Sequence, residues 1–258
     1  MARIGPVFIS HGSPMLALNK TPAHEFLARL GEQLPRPKAI LCISAHWETP
    51  KPMASTAAKP ETIHDFSGFP EPLYRLRYPA PGAPELAQHA IELLRAAGIE
   101  STTDAGQGLD HGAWVPLMLM YAKADIPVAQ LSIQFPKDAR WHLDLGRALA
   151  PLCDEGVLVL GSGSAVHNLR ALEFNANGNI TPWAQEFEHW LDQMIQQGDT
   201  DALANYRQQA PHAARAHPRD EHILPLFVAA GAAQGKPGKL LHRSFEAGSL
   251  AMSAWAWP

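Results

Sequence analysis

Three histidines stand just beyond hydrophobic runs. His11 follows residues 4–10, His46 follows residues 39–45, and His167 follows residues 157–161 after a short Gly/Ser stretch. Two more occupy suggestive places: His111 in the glycine-rich segment 106–112, and His222 at the head of an apolar stretch. Imidazole is the commonest metal ligand and the side chain that titrates nearest neutrality. In an open α/β sheet, ligands bind in the crevice outside the carboxyl ends of the strands. His11 and His46, delivered to one edge of one sheet, are therefore a pair that can share a metal ion. Imidazole suits zinc, iron, copper and nickel alike, so donor type leaves the metal open. Asp65, Asp110 and Glu221 are the carboxylates near the set. Asp110 adjoins His111 and Glu221 adjoins His222, so each is a candidate acceptor to orient an imidazole.

The remaining histidines carry less. His24, His89, His142 and His189 fall within helical patterns among charged residues and read as solvated. His212, His217 and His242 read as structural. Other chemistries fit worse. Residues Gly161-Ser162-Gly163-Ser164-Ala165 lack the Gly-x-Ser-x-Gly spacing of a nucleophile elbow. They also fail the dinucleotide fingerprint, because position 166 is Val. No Walker A sequence is present, and neither Cys42 nor Cys153 has an activating neighbour. Gly161 and Gly163 are expected to make backbone room around His167.

These side chains need a scaffold. Strands are expected over 4–10, 39–45, 99–103, 127–133 and 157–161, with two short pieces at 239–243 and 248–254. Thr21-Pro22 and Thr181-Pro182 are helix starts, with Thr at the N-cap and Pro in the first turn. Further helices are expected over 84–97, from about 113 to 121, over 139–152, and from His217-Pro218 through about 230. Residues 50–84 are rich in proline and hold Phe66, Phe69, Tyr74 and Tyr78, which suggests an ordered loop walling a site. Strands that alternate with helices give an α/β fold. The expected architecture is one three-layer α/β/α domain over 1–258 with a largely parallel central sheet.

Composition sets the outer bounds. Hydrophobic residues make up 46% of the chain and charged residues 18%, enough apolar material for a sizeable core. A net charge of -4 points to neither nucleic acid nor an anionic membrane as partner. Two cysteines in apolar runs suggest buried free thiols of a reducing compartment. With no signal-peptide pattern and no membrane-length apolar run, a soluble cytoplasmic protein is expected.

Six segments occur in order: Ser10-His11-Gly12-Ser13-Pro14, Ser44-Ala45-His46-Trp47, Ile63-His64-Asp65-Phe66, Asp110-His111-Gly112, Val166-His167-Asn168-Leu169-Arg170 and Glu221-His222. Together they resemble the DOPA 4,5-dioxygenase-like group of class III (LigB-type) extradiol ring-cleaving dioxygenases, over essentially the whole chain. The resemblance implies a mononuclear non-haem Fe(II) enzyme that opens a catechol next to its two hydroxyls with O2, giving a ring-opened semialdehyde. It implies His11, His46 and His222 as metal ligands, with the third ligand falling on His222 rather than Glu221. His167 is then the acid/base residue or a fourth ligand, and His111 faces substrate or oxygen. Such a set also suits Zn(II), which can occupy the site in purified protein. The residues themselves leave two other readings open, a zinc-dependent hydrolase and a non-catalytic metal-binding module.

Overall fold

The computed structural model describes residues 3–135, 137–176 and 178–258. Its strands are β1 (Val7–Ser10), β2 (Ala39–Glu48), β3 (Met53–Ser55), β4 (Thr102–Asp104), β5 (Val128–Ile133), β6 (Val157–Gly163), β7 (Lys239–His242), β8 (Phe245–Glu246), β9 (Leu250–Ala251) and β10 (Ala254–Ala256). Eight of them form one sheet in the order β4-β3-β5-β2-β6-β1-β10-β7. The centre, β5-β2-β6-β1, is parallel throughout. Antiparallel pairing enters only towards the edges, at β3–β5, β1–β10 and β10–β7.

Side chains alternate between the two faces of a strand, and here both faces are apolar. Phe8, Leu41, Ile43, Leu131 and Val159 join one core cluster. Val7, Ile9, Ile40, Cys42 and Leu160 join another on the opposite face. That double burial explains the continuous hydrophobic runs of the central strands. Helices α1 (Pro22–Gln33) and α4 (His111–Met120) cover the second face. Helices α3 (Pro84–Ala96), α5 (Ala139–Leu149), α7 (Pro182–Gln197) and α11 (Leu224–Ala232) cover the first. Short helices α2 (Glu71–Arg75), α6 (Pro151–Asp154), α8 (Thr200–Ala204), α9 (Tyr206–Gln209) and α10 (Ala213–Ala216) complete the three layers. No helix among the described residues is long and apolar enough to cross a membrane.

Several boundaries differ from the sequence reading. Strand β2 runs on to Glu48, so His46 lies inside it rather than beyond its end. The segment 50–84 is not all loop: it contributes β3 and α2. The expected 139–152 helix breaks at Ala150, because the following Pro151 starts a new turn without a backbone donor. The last long helix begins at Leu224, with Pro225 in its first turn. Pro218 leads instead into a bend and turn, and His222 sits in that turn.

His142 was expected on a solvated helix face, yet it is fully buried. Its Nδ1–H donates to the Asp138 carbonyl at 2.8 Å, and Nε2 accepts the Gln134 amide at 3.3 Å. Both ring nitrogens are satisfied in the neutral form, and burial lowers its pKa from 6.5 to about 4. The unfolded chain therefore takes up a proton between these values that the folded chain refuses, so stability falls as pH drops from about 6.5 towards 4. We expect the stability advantage of wild type over His142→Gln, measured by urea unfolding, to shrink by about 2 kcal/mol from pH 7 to pH 5. An advantage independent of pH would contradict the neutral buried state.

Candidate metal centre

The five histidines picked out in the sequence converge at one end of the sheet. His11 leaves β1 with its amide bonded to the Gly163 carbonyl at 2.9 Å. His46 projects from β2. His222 is held by its own backbone: its carbonyl accepts the Ser164 amide at 2.8 Å, at the end of β6. A Cβ on Gly163 would run into that same carbonyl, so glycine there is what lets the His222 turn close onto the strand. The expected role of Gly161 and Gly163 is thereby corrected. They make room for the Pro225 and His222 backbone, not for His167.

One ring nitrogen from each of His11, His46 and His222 lies within 4.8 Å of the others. Each imidazole is anchored through Nδ1. His11 Nδ1–H donates to Ser162 Oγ at 3.1 Å. His222 Nδ1–H donates to Glu221 Oε1 at 2.9 Å. His46 Nδ1 faces Asp65 Oδ2 at 3.5 Å. The Ser162 contact traces back to Pro116. This proline lies inside α4 and has no N–H to offer the Gly112 carbonyl four residues earlier. That carbonyl accepts the Ser162 hydroxyl proton instead, which leaves a Ser162 lone pair for His11.

With the Nδ1 protons so placed, the Nε2 atoms carry lone pairs. His11 Nε2 and His46 Nε2 face each other at 3.0 Å. Two lone pairs at that distance repel unless a cation joins them. A proton is a poor candidate. Burial, followed by the neighbouring His46 and His222, holds the His11 pKa well below its usual value. Burial likewise takes His46 down to about 3 and His222 well below the ordinary range. Two nitrogens about 2.1 Å from one ion and at right angles stand about 3.0 Å apart. Neutral imidazoles, oriented by their outer nitrogens, have the chemistry to hold a divalent metal.

The other two histidines flank this trio. His167 stacks flat on His222, with ring centroids 3.5 Å apart and an interplanar angle of 12°. Its Nδ1 is 3.8 Å from Glu221 Oε1. Burial lowers the His167 pKa, and Glu221 works in the opposite direction. His111 packs on the His46 ring at 3.9 Å. Asp65 accepts from both its Nδ1–H and its backbone N–H, each at 2.9 Å. Burial alone would raise Asp65, but those bonds from His111 bring its pKa below the usual carboxylate value.

A cavity of about 650 Å³ opens over all five histidines. Phe66 and Phe69 form part of its wall, as the aromatic content of the loop suggested. Tyr74 packs behind Phe66 at 5.3 Å, while Tyr78 is buried elsewhere with its hydroxyl on the Tyr121 carbonyl.

Residues 5–255 match the family described as the catalytic LigB subunit of aromatic ring-opening dioxygenase. The chain belongs to the LigB family. It is 47% identical over 253 residues to the 4,5-DOPA dioxygenase extradiol of Beta vulgaris, covering 96% of this chain and 94% of that protein. It is 41% identical over 254 residues to the protein of the same description from Escherichia coli K12, covering 97% and 93%. The crystal structure of an uncharacterized protein from Escherichia coli K12 superposes with a TM-score of 0.83 at 36% identity, covering 99% of this chain and all of that one. Membership of the LigB family makes the protein an aromatic ring-opening oxidoreductase that acts with O2 at a non-haem metal.

Two features of this LigB site were not assigned from the sequence. Asp110 was a candidate to orient His111, yet it caps α4 through the Ala113 amide and accepts from Ser44 and Gln130. Asp65 takes the role instead, from 46 positions upstream. Ser162 lies in the Gly/Ser segment that lacks nucleophile-elbow spacing, and it serves as an anchor for His11. Neither partnership leaves a local sequence signal.

Proposed function

We propose that this protein is an extradiol dioxygenase that opens a catechol with a DOPA-like side chain, at a mononuclear Fe(II) held by His11, His46 and His222. One catalytic domain spans residues 1–258 in this reading. The observation that carries it is the facing pair of Nε2 lone pairs on His11 and His46, with Nδ1 of all three imidazoles turned to acceptors. The donor chemistry also accommodates Zn(II), but zinc has no redox chemistry with which to use O2. Non-haem iron supplies, when bound, chelation of both catechol oxygens and activation of O2.

The chain's own groups do the rest. His167 is neutral at pH 7 because burial lowers its pKa, so it can accept a catechol hydroxyl proton. The imidazolium so formed faces the Glu221 carboxylate at 3.8 Å, which stabilises it. His111 has its outer nitrogen fixed by Asp65 and keeps its other edge for substrate or O2. Phe66 and Phe69 stack against the ring and exclude water. The relatives described as 4,5-DOPA dioxygenases supply the side-chain class.

The test is oxygen uptake with L-DOPA after anaerobic loading with Fe(II), beside a Zn(II)-loaded sample. We expect one O2 consumed per ring opened with iron, together with a coloured semialdehyde product, and none with zinc. Zinc-supported turnover without oxygen consumption would overturn the proposal in favour of a hydrolase.

A further inference from the structure

We propose that Glu246 selects catechols whose side chain carries a cationic amine. The inference rests on the ring-opening function above and assigns a residue to its substrate preference. Glu246 lines the same cavity as the five histidines. Among the described residues that line it, Glu246 is the only Asp, Glu, Lys or Arg.

The carboxylate is fixed and uncompensated. Glu246 ends β8, a two-residue strand that pairs with β9 in the register Phe245↔Ala251 and Glu246↔Leu250. Alternation sends Phe245 to the core cluster and Glu246 to the cavity. The hairpin tip is tied down, since the Ala247 and Gly248 carbonyls accept the Glu173 and Thr181 amides at 2.8 Å each. Glu246 Oε1 is shielded from solvent, and no donor among the described residues reaches it. No cationic side chain among them lies within salt-bridge distance of Glu246 either; the nearby Arg243 is spent on Glu188 and Asp192. Leu172 and Leu250 make the surroundings apolar, and in such surroundings a carboxylate strengthens its attraction for an opposite charge. An ammonium group supplies both the charge and the N–H donors that the protein withholds. A side chain bearing only a carboxylate meets like charge and no cationic partner.

Three catechols of similar size separate the charge states: dopamine as cation, 4-ethylcatechol as neutral and 3,4-dihydroxyphenylpropionate as anion. With iron-loaded wild type we expect KM to rise in that order. Glu246→Gln should raise KM for dopamine about ten- to a hundredfold, the worth of a hydrogen bond to a charged group, with kcat and the 4-ethylcatechol KM unchanged. Glu246→Asp should keep the preference for dopamine, and Glu246→Lys should transfer it to the anion. A second readout is calorimetric binding of dopamine and 4-ethylcatechol to Zn(II)-loaded protein without oxygen, where wild type but not Glu246→Gln should favour dopamine. Equal affinity of wild type for the three catechols, or a Glu246→Gln effect of equal size on all of them, would overturn the assignment. If wild type opens none of them yet binds dopamine through Glu246, the ring-opening reading fails while the cation site stands.

Discussion

Replacing His11 by alanine is expected to remove metal and ring opening together. The His11 Nε2 faces His46 Nε2 at 3.0 Å, and a His11 ring nitrogen lies within 4.8 Å of one on His222. Its loss leaves two imidazoles, too few for a stable site with open positions for substrate and O2. The loss of metal affinity should exceed the roughly 10–100-fold that follows removal of a group that merely orients a ligand. Ser162→Ala provides that lesser case, since it frees the His11 Nδ1 proton and leaves the ligand in place. His222→Ala should behave like His11→Ala, although Glu221 remains beside it. The Glu221 carboxylate groups with His167 and His222, not with His11 and His46. The measurement is iron content after anaerobic loading and desalting, alongside O2 uptake, with circular dichroism as the control for folding. A His11→Ala or His222→Ala protein that keeps a full equivalent of iron and its activity would overturn the ligand assignment.

His167→Gln is expected to do the reverse, keeping the metal and losing turnover. The His167 ring lies flat on His222 with centroids 3.5 Å apart, and it groups with His222 and Glu221 rather than with the His11–His46 pair. A positioned acid/base group contributes roughly 10²–10⁴-fold, and kcat should fall by about that factor. KM should change little, because glutamine keeps a polar side chain of similar reach without a titratable nitrogen. Metal content that falls in step with kcat would make His167 a fourth ligand instead. A pre-steady-state mixing experiment with DOPA gives a second view: catechol binding should survive in the variant while proton removal slows.

Much of the scaffold was legible because its signals are local. The runs that became β1, β2, β5 and β6 are apolar at nearly every position, which marks strands buried on both faces. Thr21 caps α1 through the His24 amide at 3.3 Å, as the Thr-Pro pair indicated. Misreadings came where one local signal stood for two outcomes. Pro218 and Pro225 both resemble helix starts, and only packing of the His222 turn against Gly163 decides that the helix begins at the second. His142 has the polar character of a surface residue, but its ring nitrogens find backbone partners at Asp138 and Gln134 and it is buried.

For the site, the sequence by itself determined the donor types: five imidazoles next to apolar runs or turns, with carboxylates near at hand. It also carried the resemblance to ring-opening dioxygenases, since ordered short motifs survive in a linear reading. Only the tertiary structure decided which acceptor holds which ring. Ser162 meets His11 across 151 positions, and Asp65 meets His111 across 46. It also decided that Glu246, in an unremarkable C-terminal hairpin, faces the cavity. The physical reason is that strand and helix signals repeat within a few residues, whereas a hydrogen bond between side chains depends on the sheet order β2-β6-β1 and on where each loop closes. Proton placement on each imidazole, and with it the direction of every free lone pair, follows from those distant contacts.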